Sequence, residues 1–511
     1  MVRADTTTLP DHVRVAIIGS GFAGLGMAIR LRQIGIEDFV VLERRDDVGG
    51  TWHDNTYPGC QCDVPSHLYS FSFAPNPDWS RTFSMQPEIE AYLQRCARDF
   101  GVLPHVRLNC TVTEAHWDDE HARWRLETSD GPLEADVVVS GVGALSEPSI
   151  PDLPGLERFE GPTWHSAGWN HDHDLTGERV AVVGTGASAI QFVPRIQPHV
   201  GQMHVFQRTP PWIMPHADRP VSRVEKLLYR RFPALQRLMR DAIYWARESF
   251  VVGFMHPRLM EISAERIARR HLRKQVPDPE LRRRLRPRYR MGCKRTLISN
   301  DYLPALQKPN VGLVTDPIAE VREHSIVTED GTEHEVDTII FGTGFKVIDM
   351  PVAEHIRGRD GRLLADVWNG TPQAHHGIAI SGFPNLFMLL GPNTGLGHTS
   401  VVFMIEAQIA YVADALRTLE QRGAAVAEVR PEAQEASNRA VQERLQGTVW
   451  NTGGCASWYL DANGTNATIW PGSTVNYKRI TMRFDAESYE LRRGPATRPA
   501  SPTPSLALPA R

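Results

Sequence analysis

The sequence predicts an α/β protein built from two Rossmann-like dinucleotide-binding domains, the second carrying a helical insertion. Three observations lead there. A β-branched strand over residues 13–18 runs into Gly19, Gly21 and Gly24 and then into helical periodicity over 25–34. A second strand, 179–183, runs into Gly184, Thr185, Gly186, Ala187, Ser188 and Ala189, with Ile190 and Gln191 opening a helix. Two further apolar strands, 136–139 and 337–341, close on Gly141 and Gly143 and on Gly342 and Gly344, where backbone can lie against a flat cofactor or cross between domains. In each fingerprint the glycines allow a tight turn and close approach of a pyrophosphate, and the helix N-terminus receives its charge. Two nucleotides in one polypeptide imply electron transfer between them.

At 511 residues the chain exceeds one core and suggests about three domains. A formal charge of -4 gives no basic excess for a nucleic-acid partner. The six cysteines are scattered, which points to a reducing compartment and free thiols. The opening MVRADTTTLPDH has no apolar core for a secretory signal, and no run of about 18 uncharged apolar residues occurs, so a cytoplasmic protein with no spanning helix is expected.

The strand over 39–42 ends in Glu43, near the spacing at which an acid accepts ribose hydroxyls and repels a 2′-phosphate. The equivalent strand of the second fold, 203–206, ends in Gln207, Arg208 and Thr209, and the cation there favours NADP over NAD. Cys60 and Cys62 are too close for a zinc knuckle and have no partner pair nearby, so no metal is expected. A helix over 87–100 and alternating strands over 106–139 follow, with a proline-rich linker at 148–154. In the basic region 221–290, the stripe Tyr229, Phe232, Leu235, Leu238, Met239 and Tyr244 reads as core, with an amphipathic interfacial helix as the alternative. Ser400 and its neighbours supply caps for a long helix ending near 419. The resulting partition is 1–147 for the first nucleotide domain, 148–212 for the second, 213–290 for the insertion, 291–336 for the return to the second, and 337–492 for the return to the first. A mobile covering loop is expected at 450–472 and a disordered tail at 493–511.

Two residue sets then carry a family resemblance. Phe159, Gly161, His165 and Trp169 stand at the spacing of one signature, and Gly50, Trp52, Tyr57, Pro58, Gly59 and Asp63 complete another. The chain resembles the type I Baeyer–Villiger monooxygenases from about residue 13 to 485, with Asn170 where that family usually has Pro or Asp. The resemblance implies FAD in the first fold and NADP in the second, and molecular oxygen inserted beside the carbonyl of a small, hydrophobic ketone by way of a C4a-peroxyflavin, giving an ester or lactone. It implies that Arg295 stands at the flavin with Asp63 as its partner, and that Lys294 joins Arg208 and Thr209 at the 2′-phosphate. Trp458 packs on NADP in this reading. Phe22, Ala23, Thr51, Trp52, Gln61, Cys62, Asp63, Tyr69 and Val112 fall with the FAD positions, and His165 acts as a hinge. The rival readings are a flavin-containing monooxygenase acting on nitrogen or sulfur, a long-chain alkane hydroxylase, and a flavin redox sensor without turnover.

Overall fold

The computed structural model describes residues 9–494 other than 349, 456 and 462. The expected tail lies outside these residues except for 493 and 494.

The first sheet has eight strands. At its centre His12–Ile18 lies parallel to Phe39–Leu42 on one side and to Gly131–Ser140 on the other. These strands are covered on both faces, which is why they read as continuous apolar runs and not as alternation: Val15, Ala16 and Ile17 are fully buried. Arg123–Thr128 and Val112–Asp118 extend the sheet antiparallel. Ile356–Arg357 pairs with Val112–Asp118 and Leu386–Met388 with Gly131–Ser140, so the chain, having left this sheet at Ser140, returns to it from Ile356 onward.

The fingerprint helix is Phe22–Gln33, starting three residues before the expected 25, with Gly21 as N-cap. Against it lies Val401–Arg422, capped by Ser400, whose hydroxyl accepts from the Val402 amide at 3.2 Å, and closed by Gly423 in the left-handed region. Gly26 permits this contact, since a Cβ there would come within 2.8 Å of Ile409.

The second sheet is all parallel, in the order Val311–Val314, Gln202–Phe206, Arg179–Val183, Thr338–Phe341, Thr163–His165. Thr338–Phe341 is therefore one of its strands, and the expected division at 336/337 cuts through this sheet. An apolar strand between two glycine turns serves equally well in either fold, and only pairing decides. A three-stranded meander, Ile318–Arg322, Ser325–Thr328 and Glu333–Glu335, supplies Val321 and Ile326 to a core shared with Ala181, Ile339 and Phe341.

The glycines closing the strands at 141 and 342 do something the sequence did not suggest. A Cβ on Gly141 would stand 3.0 Å from the Gly24 amide nitrogen, and one on Gly342 would stand 3.1 Å from the Ala189 Cβ. Each lets its strand pack directly on a fingerprint helix.

The basic region is helical, as expected, including Arg223–Arg231 and Pro233–Glu248. Of the two readings of its stripe, core does not hold for most of it. Tyr229 is buried and Tyr244 half-buried, but Phe232 is 53% exposed, Leu235 38%, Leu238 64% and Met239 39%. The buried residues of Pro233–Glu248 are Gln236, Arg240 and Glu248. Arg240 donates to the His67 carbonyl at 2.7 Å and to Ser70 Oγ at 3.2 Å, with its guanidinium 5.2 Å from the Phe403 ring. Gln236 donates to the Asn76 carbonyl at 2.7 Å. The loop beneath this helix offers carbonyls, so the polar face turns inward.

Candidate active site

The second signature loop is built against the first fingerprint. Gly50 at φ +55 sits where a Cβ would be 2.9 Å from the Gly21 Cα, and it opens the short helix Thr51–Asp54. Trp52 Nε1 donates to the Tyr69 hydroxyl at 3.1 Å, and Phe22 packs edge-on to Tyr69 with ring centroids 5.0 Å apart. Ala23 is buried in the same fingerprint helix. Glu43 is buried and accepts from Ser20 Oγ at 2.6 Å, from the Ser20 amide at 2.9 Å and from the Arg45 amide at 2.9 Å. A carboxylate offers about four lone-pair sites, so one remains for a ribose hydroxyl. Val112 opens its strand half-buried, two residues after Cys110, whose amide donates to the Glu43 carbonyl at 2.8 Å.

The same loop continues to the second fingerprint. Gln61 donates its amide to Gln191 Oε1 at 3.2 Å, and Gln191 Nε2 donates back to the Gln61 carbonyl at 2.9 Å. Tyr57 donates to the same Oε1 at 3.0 Å. Residues 130 apart thus tie the two nucleotide folds together. Cys60 and Cys62 are buried free thiols, and burial pushes Cys60 up to about 12 and Cys62 well above the ordinary thiol range, so both stay protonated.

Asp63 closes the loop, and Arg295 meets it with Nε and Nη2 each 2.6 Å from a carboxylate oxygen. This fork is bidentate. Burial pushes the Asp63 carboxyl up, but Arg295 and then Arg247 outweigh it and hold the group below the usual carboxylate range. Asp63, against burial, raises the already high value of Arg295. The guanidinium is charged at every working pH. Two residues that the sequence reading missed belong here. Arg247, from the end of Pro233–Glu248, acts on both Asp63 and Arg295, and Tyr459, buried and pushed up to about 12 chiefly by that burial, faces Arg295. The spacing of Gln236, Arg240 and Arg247 on one helix face was the available signal for Arg247. Nothing local marked Tyr459.

At the second fold, Gly184 takes φ +108, the chain at Gly186 and Ala187 is exposed, and Ser188 precedes the helix Ala189–Ile196. Thr185 Oγ1 donates to the Thr209 carbonyl at 3.4 Å. Arg208 is exposed at the strand end. Lys294 is half-buried with Nζ 5.6 Å from the Tyr289 ring, and burial first, then the charge of Arg208, lowers its value. Among the described residues neither cation has a carboxylate partner. Two facing cations without a counter-ion are the donor set that a 2′-phosphate would complete. At the start of Val401–Arg422, His398 Nδ1 and Thr399 Oγ1 are buried without hydrogen-bond partners, which suits a helix end that receives a polar cofactor edge.

Trp458 is 42% exposed, its ring 4.4 Å from Tyr459. The expectation of six free thiols fails here: Cys293 and Cys455 form a disulfide across 162 residues, beside Lys294 at one end and the 450–472 loop at the other. Sequence spacing says nothing of such a pair, because folding alone brings its Cα atoms to 6.2 Å.

His165 is buried in the edge strand Thr163–His165, its Nδ1 accepting from the Ala167 amide at 3.1 Å, its ring 5.5 Å from Phe345. Burial lowers its value, so it is neutral. Phe159 packs on the meander core, Gly161 leaves room for the Asp337 carbonyl, and Trp169 packs 5.3 Å from Phe192 of the second fingerprint helix. None of the four touches the Arg295 pair. Away from the site, His375, His376 and Asp485 converge, with His375 Nε2 2.9 Å from the carboxylate and Tyr411 donating to its other oxygen. They anchor the chain end to Val401–Arg422.

Two glycine-turn nucleotide folds, clamped by one loop whose Asp63 meets Arg295 in a bidentate fork, define a flavin-and-nicotinamide oxidoreductase. The flavin-binding monooxygenase-like family model matches residues 12–356. A Baeyer–Villiger monooxygenase of Streptomyces coelicolor is 54% identical over 496 residues, covering 96% of this chain and 95% of that one. Among solved structures, closed cyclohexanone monooxygenase superposes with a TM-score of 0.84 at 31% identity, covering 96% of this chain and 100% of the other. The OTEMO complex with FAD and NADP superposes at 0.84 with 26% identity, covering 94% and 99%. The chain belongs to the flavin-binding monooxygenases, as a member of their Baeyer–Villiger type, with FAD and NADP as cofactors. No helix among the described residues is long and apolar enough to cross a membrane.

Proposed function

We propose that the protein converts a small hydrophobic ketone, NADPH, a proton and O2 into an ester or lactone, NADP+ and water, and that Arg295 is the group on which product formation depends. The Arg295–Asp63 fork carries this reading. Bound FAD and NADPH supply the electron transfer and the activation of oxygen. Arg208, Lys294 and Thr209 bind the 2′-phosphate, and Gly184, Gly186 and the Ser188 end of the helix receive the pyrophosphate. Gly19, Gly21 and Gly24 do the same for FAD, with Glu43 on the ribose and Thr51, Trp52, Tyr69 and Val112 along its length. Trp458 closes over NADP from the 450–472 loop.

Arg295 holds a fixed positive charge where negative charge develops, both on activated oxygen and on the carbonyl oxygen of the ketone under attack. A guanidinium cannot surrender a proton at working pH, so it stabilises an anion without quenching it. Asp63 aims the guanidinium and limits its rotation. Buried Tyr459 keeps water from that side. His165 serves the hinge between the folds.

The test supplies a graded series of cyclic and linear ketones to the purified FAD-loaded protein, following NADPH oxidation and product mass. Faster NADPH oxidation with ester or lactone formation is expected. Hydrogen peroxide as the sole product with every ketone, alongside oxygenation of amines or thioethers, would replace this reading with the nitrogen- or sulfur-directed one.

A further inference from the structure

The helices Arg223–Arg231 and Pro233–Glu248 both leave large apolar side chains exposed, and the second turns polar ones toward the protein. On the second, Leu235, Leu238, Met239 and Trp245 are exposed at spacings of three, one and six, one face of a helix, while Gln236 and Arg240 are buried on the other. On the first, Val224 and Leu227 are exposed, and the two helices pack side by side about Phe232 and Pro233. An apolar surface of this extent on a water-soluble fold marks an interaction site.

Charge selects the partner. Residues 221–260 hold eight Lys and Arg against three Asp and Glu, in a chain of formal charge -4. Arg223, Arg231 and Arg237 are exposed on these two helices, with exposed Asp241 the one acid beside the second stripe, and among the described residues none of the three arginines pairs with a carboxylate. A second copy meeting this face about a two-fold axis would confront these arginines with one another. An anionic lipid surface satisfies both features, with the leucines and Trp245 entering the headgroup boundary and the arginines meeting phosphates.

We propose that this helical face docks the protein onto anionic membrane surfaces, lying in the interface without crossing it. The inference is independent of the reaction assigned above. The opposite side of the same helix carries Arg247 toward the Arg295 pair, so the docked face backs one wall of the active site.

The test is co-sedimentation of the FAD-loaded protein with phosphatidylcholine vesicles, with and without phosphatidylglycerol. Binding is expected only with phosphatidylglycerol and should weaken with added salt. The double variant Leu227→Ser/Leu238→Ser should bind more than about tenfold more weakly, and each of Arg223→Gln and Arg237→Gln about fivefold more weakly. FAD content and NADPH oxidation should be unchanged in all three. Equal binding to both vesicle types, binding retained in the leucine variant, or no binding at all would overturn the proposal. So would a dimer in light scattering that the leucine variant dissociates.

Discussion

Arg295 Nε and Nη2 grip the two oxygens of Asp63 at 2.6 Å each, across 232 residues of sequence. The grip joins the loop lying on the first nucleotide fold to the segment that follows the helical insertion. Arg295→Ala should retain FAD and be reduced by NADPH, yet lose about 10²- to 10³-fold in ester formation. Arg295→Lys should rescue little, since an ammonium cannot make the fork. Single-turnover reduction measured beside product yield separates the two steps. Normal ester yield in the alanine variant would remove the assigned role.

Lys294 and Arg208 face each other without a counter-ion. Arg208→Ala should raise KM for NADPH roughly 10- to 100-fold, corresponding to about 1.5–3 kcal/mol of charge-assisted bonding. KM for NADH should stay where it is. An undiminished preference for NADPH would refute the assignment.

The Cys293–Cys455 bridge fastens the 450–472 loop to the Lys294–Arg295 segment. Cys455→Ser should lower stability by about 2–5 kcal/mol, given the length of chain enclosed. It should also raise KM for NADPH more than it alters the rate of flavin reduction. Denaturant titration and steady-state kinetics provide the check, with thiol-treated wild type expected to match the variant.

Stability should decline as pH falls from about 6.5. Burial holds His67 down at about 4, and it lowers His165 as well. Between pH 6.5 and 4 the unfolded chain takes up a proton that folded His67 refuses, so the unfolded state gains, by up to about 3 kcal/mol for this one group. The His67 contribution to this loss levels off below about 4. Asp63 behaves as a carboxylate with a depressed value: its contribution is present above the ordinary carboxylate range and vanishes as pH drops through its lowered one. Urea midpoints across this range should follow that course, and His67→Asn should make it shallower above pH 4.

Both fingerprints were legible from sequence because strand, glycine turn and helix are written in neighbouring residues, as was the cation at Arg208 that ends a strand. The Arg295–Asp63 partnership was legible only through the resemblance, since no local rule joins residues so far apart. Periodicity found the helix Pro233–Glu248 but could not decide its direction, because a stripe does not say which face has a partner. The carbonyls of His67 and Asn76 decided that by accepting Arg240 and Gln236.

Sequence alone therefore determined the two nucleotide folds and the chemical class of their ligands, because backbone geometry at glycine and charge at a strand end are local properties. Tertiary structure alone decided that Thr338–Phe341 joins the second sheet, that Cys293 meets Cys455, and that Arg247 and Tyr459 flank the arginine pair. Each of these is a choice among partners equally acceptable to the local chain, and it is made only when the whole chain buries its surface together.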